Sequence, residues 1–450
     1  MTSDLPTVKF ADLFAGIGGF HAALRYDPLL DADCVFASDI DAACREVYQA
    51  NFEFTADGDI WPIARDHAAS VRDHDLLCAG FPCQPFSKSG QQRGIAEARG
   101  TLFEAILLIL KAKRPRFVLL ENVRNLVGPR HTDTWATIIR LLRDLGYAVS
   151  AQPTLVSPHE LPPGLGSPQV RDRVFIPAVH VGRQLARQSA AYLPALVGRR
   201  PFPDWRPSEW RVEEYLHGAP APEGCTALKP EKLAAIDMWQ DLIDRLSGSI
   251  PRFPIWTDVF LGKLTIGPEH PDWKNAIIAK NATFHRDNRR TIDDWLVEDS
   301  VAEVLPSYRK LEWQAQDHAR KLWSHAIQFR PSGVRVRPLT YLPALVAINQ
   351  TSIIGPWRRP ITKVEAAWLQ GFSPQFLDGK PFAPHTDDAT AFQQLGNAVH
   401  VGVTRFVARA LVLGADHDQL APPEWQEMIA ASATADRSPA ALELDDAAPD

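Results

Sequence analysis

One cysteine of this sequence stands in a setting that suits a catalytic residue. Cys83 stands in GFPCQPFSKSG, residues 80–90, between two prolines and directly after an apolar run. Pro82 holds its own φ at about −65° and lacks a backbone donor, and Pro85 restricts the residue before it to extended conformations. The preceding run, DLLCAG, predicts a buried strand, so Cys83 is predicted on a stiffened loop at a strand end. A nucleophile and a small buried hydrophobe are both open interpretations.

An acid follows a second apolar strand. Glu121 stands in FVLLENVRNL, residues 117–126, after four apolar residues, and is therefore predicted to be partly desolvated. Desolvation raises the pKa of a carboxyl group and suits it to donating a proton. A helix-capping or salt-bridged glutamate is the alternative.

Two arginines form a third candidate group. Arg171 and Arg173 stand two residues apart in QVRDRVF, residues 169–175. On a strand both side chains would point to the same face, where two guanidinium groups suit a carbonyl or phosphate. A solvated strand edge is the alternative.

A glycine turn suggests a ligand with a nucleoside part. Residues 10–24, FADLFAGIGGFHAAL, predict a strand, a turn and a helix start, with Gly16, Gly18 and Gly19 in the turn. These glycines let the backbone turn tightly and approach a ligand closely. The pattern is shorter than the full dinucleotide fingerprint, and a tight turn alone would explain it. Asp39 ends the next strand, where an acid can bind a ribose hydroxyl pair.

Two further segments add candidates at element ends. Asp59, in DGDI, could be a third contact to such a ligand, or an ordinary turn acid. In QQLGNAVHVGV, residues 393–403, Gly396 and Asn397 could cap the last helix and offer backbone and amide groups to a ligand.

The elements that must position these residues alternate along the first part of the chain. The predicted strands are VKFADLF, CVFASD, DLLCAG, RFVLLENV and RVFIPAV. The predicted helices between them are FHAALRY, AACREVYQANF, LFEAILLILKAK and WATIIRLLRDLG. This alternation predicts an α/β fold with a doubly wound, mostly parallel sheet. From 183 to about 335 the rhythm breaks. Strands PALVAINQ and TSIIG, helix TKVEAAWLQG, a loop over 373–392 and a helix near GNAVHVGVTRFVARALVLG are predicted after it.

Composition indicates an ordinary globular protein with an acidic tail. The chain has 450 residues, 45% hydrophobic and 23% charged, without an apolar run of 18 residues or an apolar signal sequence at its start. Five cysteines, an odd number without paired zinc spacing, favour a reducing, cytoplasmic setting. Of the net charge of −6, residues 411–450 carry −8, so the remaining 410 residues are near +2. Residues 415–450 are predicted to be largely disordered.

The order of these motifs resembles that of the DNA cytosine-C5 methyltransferase family, of the bacterial modification-methylase type. The resemblance covers about 10–180 and 336–410. It is carried by DLFAGIGGF, an acid after the second strand, GFPCQPFS, RGTLF, ENVRNL, QVRDRVF, RRPITKVEAAWLQGF and QLGNAV. One departure is visible: the family commonly has Glu where Asp39 stands, and the side chain of Asp is one methylene group shorter.

The resemblance implies a role for each matching residue. Cys83 would be the nucleophile, Pro82 would shape its loop, Glu121 would contact the base, and Arg173 with Arg171 would hold the cytosine. The residues that would surround S-adenosylmethionine are Phe14, Gly16, Gly18, Asp39, Ile40, Asp59, Ile60, Leu102, Asn397 and Val399.

The implied function is sequence-specific methylation of cytosine C5 in double-stranded DNA, as part of a restriction-modification system. S-adenosylmethionine would be the methyl donor, the base would be flipped out of the duplex, and no metal would be required. We expect a monomeric, cytoplasmic bacterial protein that associates with the nucleoid when on DNA, with a possible functional pairing to a restriction endonuclease. The alternatives are a transfer-RNA cytosine-C5 methyltransferase and a catalytically idle DNA-binding regulator. The long insert favours DNA, and intact Cys83 and Glu121 argue against idleness.

The same pattern divides the chain into predicted parts. They are a catalytic and cofactor-binding domain (1–182), a smaller, mixed target-recognition domain (183–392), a returning C-terminal helix (393–414) and the acidic tail (415–450). Within the recognition region, 183–357, four arginines in basic and aromatic clusters are candidate DNA contacts: Arg286, Arg289, Arg290 and Arg309. Ordinary solvated loops are the alternative for each, and the bases recognised cannot be derived from the sequence.

Overall fold

The computed structural model describes residues 5, 7–82, 101–188, 202, 204–216, 228–315, 319–345 and 351–413. Cys83 and the acidic tail lie outside these residues. The strands are β1 (Thr7–Leu13), β2 (Asp31–Ser38), β3 (Leu76–Gly80), β4 (Phe117–Val123), β5 (Tyr147–Val149), β6 (Thr154–Val156), β7 (Gln169–Val170), β8 (Arg173–His180), β9 (Ile255–Trp256), β10 (Lys310–Trp313), β11 (Ala326–Arg330), β12 (Gly333–Arg337), β13 (Leu342–Pro343), β14 (Ile353–Ile354) and β15 (Arg359–Pro360). The α-helices are α1 (Gly19–Arg25), α2 (Ala42–Phe52), α3 (Ile60–Arg65), α4 (Leu102–Lys113), α5 (Thr132–Asp144), α6 (Arg183–Gln188), α7 (Val212–Leu216), α8 (Pro230–Arg245), α9 (Thr257–Phe260), α10 (Asp272–Asp287), α11 (Arg289–Glu298), α12 (Lys363–Leu369), α13 (Asp388–Asn397) and α14 (Val401–Val412).

The first sheet has the predicted doubly wound, mostly parallel form. Its order is β2-β1-β3-β4-β8-β5, with β6 also paired to β8. Strands β1 to β4 are parallel, and β8 runs antiparallel to its neighbours. The central strands are apolar on both faces because helices cover both. Helices α1 and α14 pack into one core, and α4 and α5 pack into the other.

The last predicted helix is wrong in its extent. The chain forms two helices there, α13 and α14, and α13 begins inside the predicted loop 373–392. The carboxylate of Asp387 caps α13 by accepting from the Thr390 N–H at 2.8 Å. Of the predicted strand PALVAINQ, the described part forms only β13, since residues 346–350 lie outside the described residues.

A second sheet lies in the region where the alternation breaks. Its order is β15-β14-β11-β12-β10-β9, and helices α8 and α11 pack against one of its faces around Trp239 and Trp295. This mixed α and β content agrees with the smaller domain expected there. The predicted domain limits stay a prediction. Helices α12 and α13 pack in one hydrophobic cluster with Ala23 of α1, beside the first sheet, and with Ala326 of β11, in the second sheet.

No α-helix within the described ranges is both long and apolar enough to cross a membrane. The same ranges hold no group of three or more His, Cys, Asp or Glu residues arranged to bind a metal ion.

Candidate active site

The glycine turn lies at the carboxyl end of β1 and adopts a left-handed path. Phe14, Gly16 and Gly18 all have positive φ, of 55°, 54° and 86°. Gly18 carries a steric reason as well, since a Cβ there would lie 2.1 Å from the Phe52 ring. A Cβ on Gly16 would meet nothing within 4 Å, so open space lies in front of this residue. The turn can therefore approach a ligand closely at Gly16.

Asp39 contacts this turn directly. Its Oδ2 accepts from the Gly16 N–H at 2.7 Å, and its Oδ1 accepts from the Asp41 N–H at 2.8 Å. Burial raises the pKa of Asp39, and these two backbone hydrogen bonds oppose the rise. Each carboxylate oxygen keeps a second lone pair that can accept a ligand hydroxyl. The carboxylate is thus fixed in orientation with acceptor capacity left.

The remaining cofactor candidates differ in how they are exposed. Ile40 is 76% exposed, an unusual state for isoleucine, and it offers an apolar surface beside Asp39. Asp59 caps α3 by accepting from the Trp61 N–H at 3.0 Å, which fits the turn-acid alternative. Ile60 is buried at 4%, so its side chain belongs to the core. Leu102 is half-buried at the start of α4.

The C-terminal segment returns to the glycine turn through Val399. A Cβ on Gly19 would lie 2.7 Å from the Val399 carbonyl oxygen, so only glycine permits this contact. Asn397 is exposed as the last residue of α13. The expected capping by Gly396 and Asn397 is wrong: His400 caps α14, accepting from the Val403 N–H at 3.1 Å.

These residues fit a ligand that contains a nucleoside. An open glycine turn, a fixed carboxylate and an exposed isoleucine lie at the ends of β1 and β2, where open α/β sheets bind such ligands.

Glu121 forms a buried ion pair at the end of β4. Its Oε1 lies 3.0 Å from Nε of Arg173, and its side chain is only 9% exposed. Burial raises the pKa of Glu121, while the guanidinium groups of Arg173 and then Arg171 oppose the rise. In the sheet, Glu121 is paired with Gly80, the last residue of β3. A buried carboxyl group therefore stands where the chain leaves β3 toward Pro82 and Cys83.

The expectation that Arg171 and Arg173 lie on one strand face is wrong. It precedes β8 instead of lying on it, so it does not share a strand face with Arg173. Its buried guanidinium group donates to the carbonyl oxygens of Leu345 at 3.1 Å, Gly396 at 2.8 Å and Ala398 at 2.7 Å. Burial, followed by the charge of Arg173, lowers the pKa of Arg171 to about 9. Arg171 therefore ties chain segments together through Nη1 and Nη2, whereas its Nε is buried without a hydrogen-bond partner among the described residues.

Asn122 and His400 are structural supports to which the sequence reasoning gave no role. Nδ2 of Asn122 donates to the Phe81 carbonyl at 2.7 Å and so holds the chain just before Pro82, which is exposed. The Asn in ENV was the available signal. Besides capping α14, His400 contacts Ser167 Oγ through Nε2 at 2.9 Å; its position three residues after Asn397 gave no comparable signal.

The four candidate DNA-contacting arginines separate into two groups. Arg309 is wrong as an exposed contact: it is 7% exposed and pairs with Asp258 at 3.2 Å. Arg286, Arg289 and Arg290 are exposed at the junction of α10 and α11. Their contact with DNA stays a prediction.

Comparison with known proteins connects this site with a family. The model of the C-5 cytosine-specific DNA methylases matches residues 8–413. Type II methyltransferase M.AluI of Cellulosimicrobium cellulans is 38% identical over 89% of this chain and 91% of its own length. Type II methyltransferase M.HhaI of Haemophilus parahaemolyticus is 37% identical over 38% of this chain and 49% of its own.

A solved structure supports the fold. A putative DNA modification methyltransferase encoded within a prophage of E. coli aligns with a TM-score of 0.51 and 19% identity, covering 91% of this chain and all of that one. The chain therefore belongs to the family of C-5 cytosine-specific DNA methylases and is a DNA (cytosine-5-)-methyltransferase.

Proposed function

We propose that the protein methylates C5 of cytosine in double-stranded DNA at a specific sequence, with Cys83 as nucleophile and S-adenosylmethionine as methyl donor. The observation that carries this proposal is the buried pair of Glu121 and Arg173, 3.0 Å apart, beside the strand that leads to Cys83. The match to the family model over residues 8–413 supports it.

Glu121 acts on the ring nitrogen of the flipped base. C5 of cytosine is a poor nucleophile, and attack at C6 places negative charge on the ring. A carboxyl group whose pKa is raised by burial can hydrogen-bond N3 and stabilise that charge. Arg173 orients this carboxyl group through Nε, and its Nη1 donates to the Asp172 carbonyl at 2.9 Å, which leaves Nη2 to contact the base carbonyl.

Cys83 supplies the covalent step. Its thiolate forms an S–C6 bond, and the electron pair of the C5–C6 double bond makes C5 nucleophilic. After C5 has gained the methyl group, loss of the C5 proton restores the double bond and breaks the S–C6 bond. The covalent route divides one difficult step into easier ones. The target atom is inaccessible in a stacked duplex, so the base must first be flipped out, which costs roughly a few kcal/mol.

The glycine turn and Asp39 hold the methyl donor. S-adenosylmethionine supplies an electrophilic methyl group when bound. Asp39 accepts from the ribose hydroxyls with its remaining lone pairs, and Ile40 covers an apolar face of the nucleoside. Phe14 and Leu102, which pack against the same core cluster, and Val399, which contacts Gly19, are the remaining residues proposed to line the donor site.

Residues 183–357 select the DNA sequence. The residues proposed for the chemistry lie outside this region, so it can vary without changing the reaction. The name type II methyltransferase carried by the relatives M.AluI and M.HhaI supports membership of a restriction-modification system. Grafting this region onto a relative of different specificity should transfer the methylation site, and an active chimera that keeps its host's site would contradict this assignment.

Methyl transfer from labelled S-adenosylmethionine tests the whole proposal. The purified protein is incubated with duplex DNA, transfer RNA or neither. Label in DNA at cytosine C5 is the expected result. Label in transfer RNA alone would favour the RNA methyltransferase, and DNA binding without label would favour the idle regulator.

A further inference from the structure

The second sheet carries a row of arginines on one of its two faces. Arg335 and Arg337 alternate along β12 with buried valines, and Arg330 ends the neighbouring strand β11. The register of β11 and β12 places Arg330 opposite Gly333 and Arg337 opposite Ala326, so all three side chains project from the same face.

Strand β10 adds two charged residues to this face. Glu312 is paired with Arg335, and Lys310 lies two residues earlier on the same side. The set that these strands bring together is named here the arginine face: Lys310, Glu312, Arg330, Arg335 and Arg337.

The arginine face has more positive charge than its own carboxylate can balance. Four cationic side chains share it with Glu312, a formal charge of +3. Glu312 lies 2.5 Å from Nη2 of Arg335 but 3.9 Å from Nη1 of Arg330, and that Nη1 is buried without a hydrogen-bond partner in the described structure. Burial and the charge of Arg335 lower the pKa of Arg337. A polyanion bound on this face would relieve the repulsion.

The arginine face is connected to the active site through a short chain segment. Tyr341 follows Arg337 by four residues, and its ring lies 5.0 Å from that of His159. The next residues, Leu342–Pro343, pair with Gln169–Val170, directly before Arg171. The end of β12 therefore leads to a separate two-stranded sheet of β13 and β7, and β7 directly precedes Arg171.

The residues packed on the two faces of the second sheet also show which face lies toward the first sheet. Ala326 and Ile354, at the far end of the arginine-bearing face, pack in the cluster that contains Ala23 and Cys44 of the first domain's helices. Helices α8 and α11 cover the opposite face. The arginine face is therefore on the side of the second sheet that turns toward the catalytic part.

We propose that the arginine face is the surface of the recognition region that contacts the DNA duplex, and that Arg330 and Arg337 contact base edges in the major groove. This inference rests on the proposed function. A guanidinium fork matches the adjacent O6 and N7 acceptors of guanine. Arg335 is held by Glu312 and positions the row. The Arg330 side chain is 28% exposed, and Arg337 donates to Gln314 through Nε at 2.6 Å, which leaves its Nη atoms for a base edge.

The test compares sequence preference across matched arginine variants of the full-length protein. Arg330→Gln and Arg337→Gln change the arginine face, and Arg286→Gln and Arg289→Gln change exposed arginines on the helices instead. Each protein methylates a pool of duplexes randomised around cytosine, and sequencing of 5-methylcytosine gives the preferred site. We expect each face variant to lose about 10- to 100-fold on the preferred site and to accept other bases at one position. The predicted DNA contacts of the helix arginines would be to phosphates, so the helix variants should keep the wild-type preference even where methylation of all sequences falls alike.

Melting temperatures show whether each variant folds. If a glutamine variant does not fold, Arg330→Lys and Arg337→Lys keep the charge but lose the planar fork, and the same relaxed preference is expected. If the face variants keep the wild-type sequence preference, with or without an equal loss of methylation on all sequences, this inference is wrong and the proposed function stands. The same holds if the helix variants change the sequence preference. A wild-type protein that methylates no DNA would overturn the proposed function as well.

Discussion

Glu121 and Arg173 come from neighbouring antiparallel strands, and their side chains meet at 3.0 Å in a nearly closed environment. The pair joins two effects on one carboxyl group: burial raises its pKa, and the guanidinium group limits the rise. The arginine also fixes where the carboxyl points, so the pair can be tested by changing either partner.

Glu121→Gln keeps the shape of the side chain but removes its acid. We expect the rate of methyl transfer to fall by about 10²-fold or more, because the amide cannot protonate or charge-stabilise the ring. Binding of S-adenosylmethionine should change little. Single-turnover kinetics check this, and a wild-type rate would make Glu121 a structural residue.

Cys83→Ala should abolish methyl transfer while the protein still binds DNA and cofactor, because the C6 adduct needs a nucleophile. Wild-type protein should form a stable covalent complex with duplex that contains 5-fluorocytosine, since fluorine does not leave as a proton does. Denaturing gels detect the complex. Methyl transfer by Cys83→Ala at the wild-type rate would contradict the covalent mechanism.

Asp39→Ala should weaken S-adenosylmethionine binding by roughly 1–3 kcal/mol, from the loss of charged acceptors for the ribose hydroxyls. The Gly16 N–H also loses its acceptor, so the turn itself is expected to loosen. Calorimetry measures the affinity. Asp59→Ala is the comparison, because its cap on α3 does not involve the turn. Equal cofactor affinity in wild type and Asp39→Ala would contradict the ribose role.

Arg171→Met and Arg173→Met should separate stability from catalysis. Loss of the Arg171 guanidinium leaves three backbone carbonyls without their donor, so the free energy of unfolding should fall by about 3 kcal/mol or more. Arg173→Met should mainly lower the turnover rate. Chemical denaturation and methyl-transfer assays give the two quantities. If both variants lose stability equally, the division of roles is wrong.

The stability of the protein should fall in acid partly because of His400. Burial, then the charge of Arg171, lowers the pKa of His400 from 6.5 to about 3. Between these values the unfolded chain binds a proton that the folded protein excludes, so stability is lost as pH falls from about 6.5 toward 3. Denaturation midpoints across this range check it. His400→Asn, which can still cap α14, should flatten the dependence by on the order of a few kcal/mol. Burial also lowers the pKa of His21 to about 3, so the His400→Asn variant should keep the part of the pH dependence that comes from His21.

Much of this protein was determined by local sequence. Apolar runs such as FVLL and LLCA predicted the central strands, and the glycine pattern predicted the turn at the end of β1, because these depend on side-chain burial and on backbone conformations open to glycine. The sequence placed Asp39 at the end of the next strand, but its contact with the Gly16 N–H at 2.7 Å was not predicted and is a finding of the structure.

Only the tertiary structure determined which partners several polar side chains contact. Arg171 and Arg173 are two residues apart, yet one contacts carbonyls of the C-terminal segment and the other Glu121, because β8 begins only at Arg173. The helix predicted as one is two because the chain breaks between Asn397 and Val401 and His400 caps the second. Arg309 stood in a basic and aromatic cluster but is buried beside Asp258. Partners distant in sequence set these outcomes, so residue type and spacing could not reveal them.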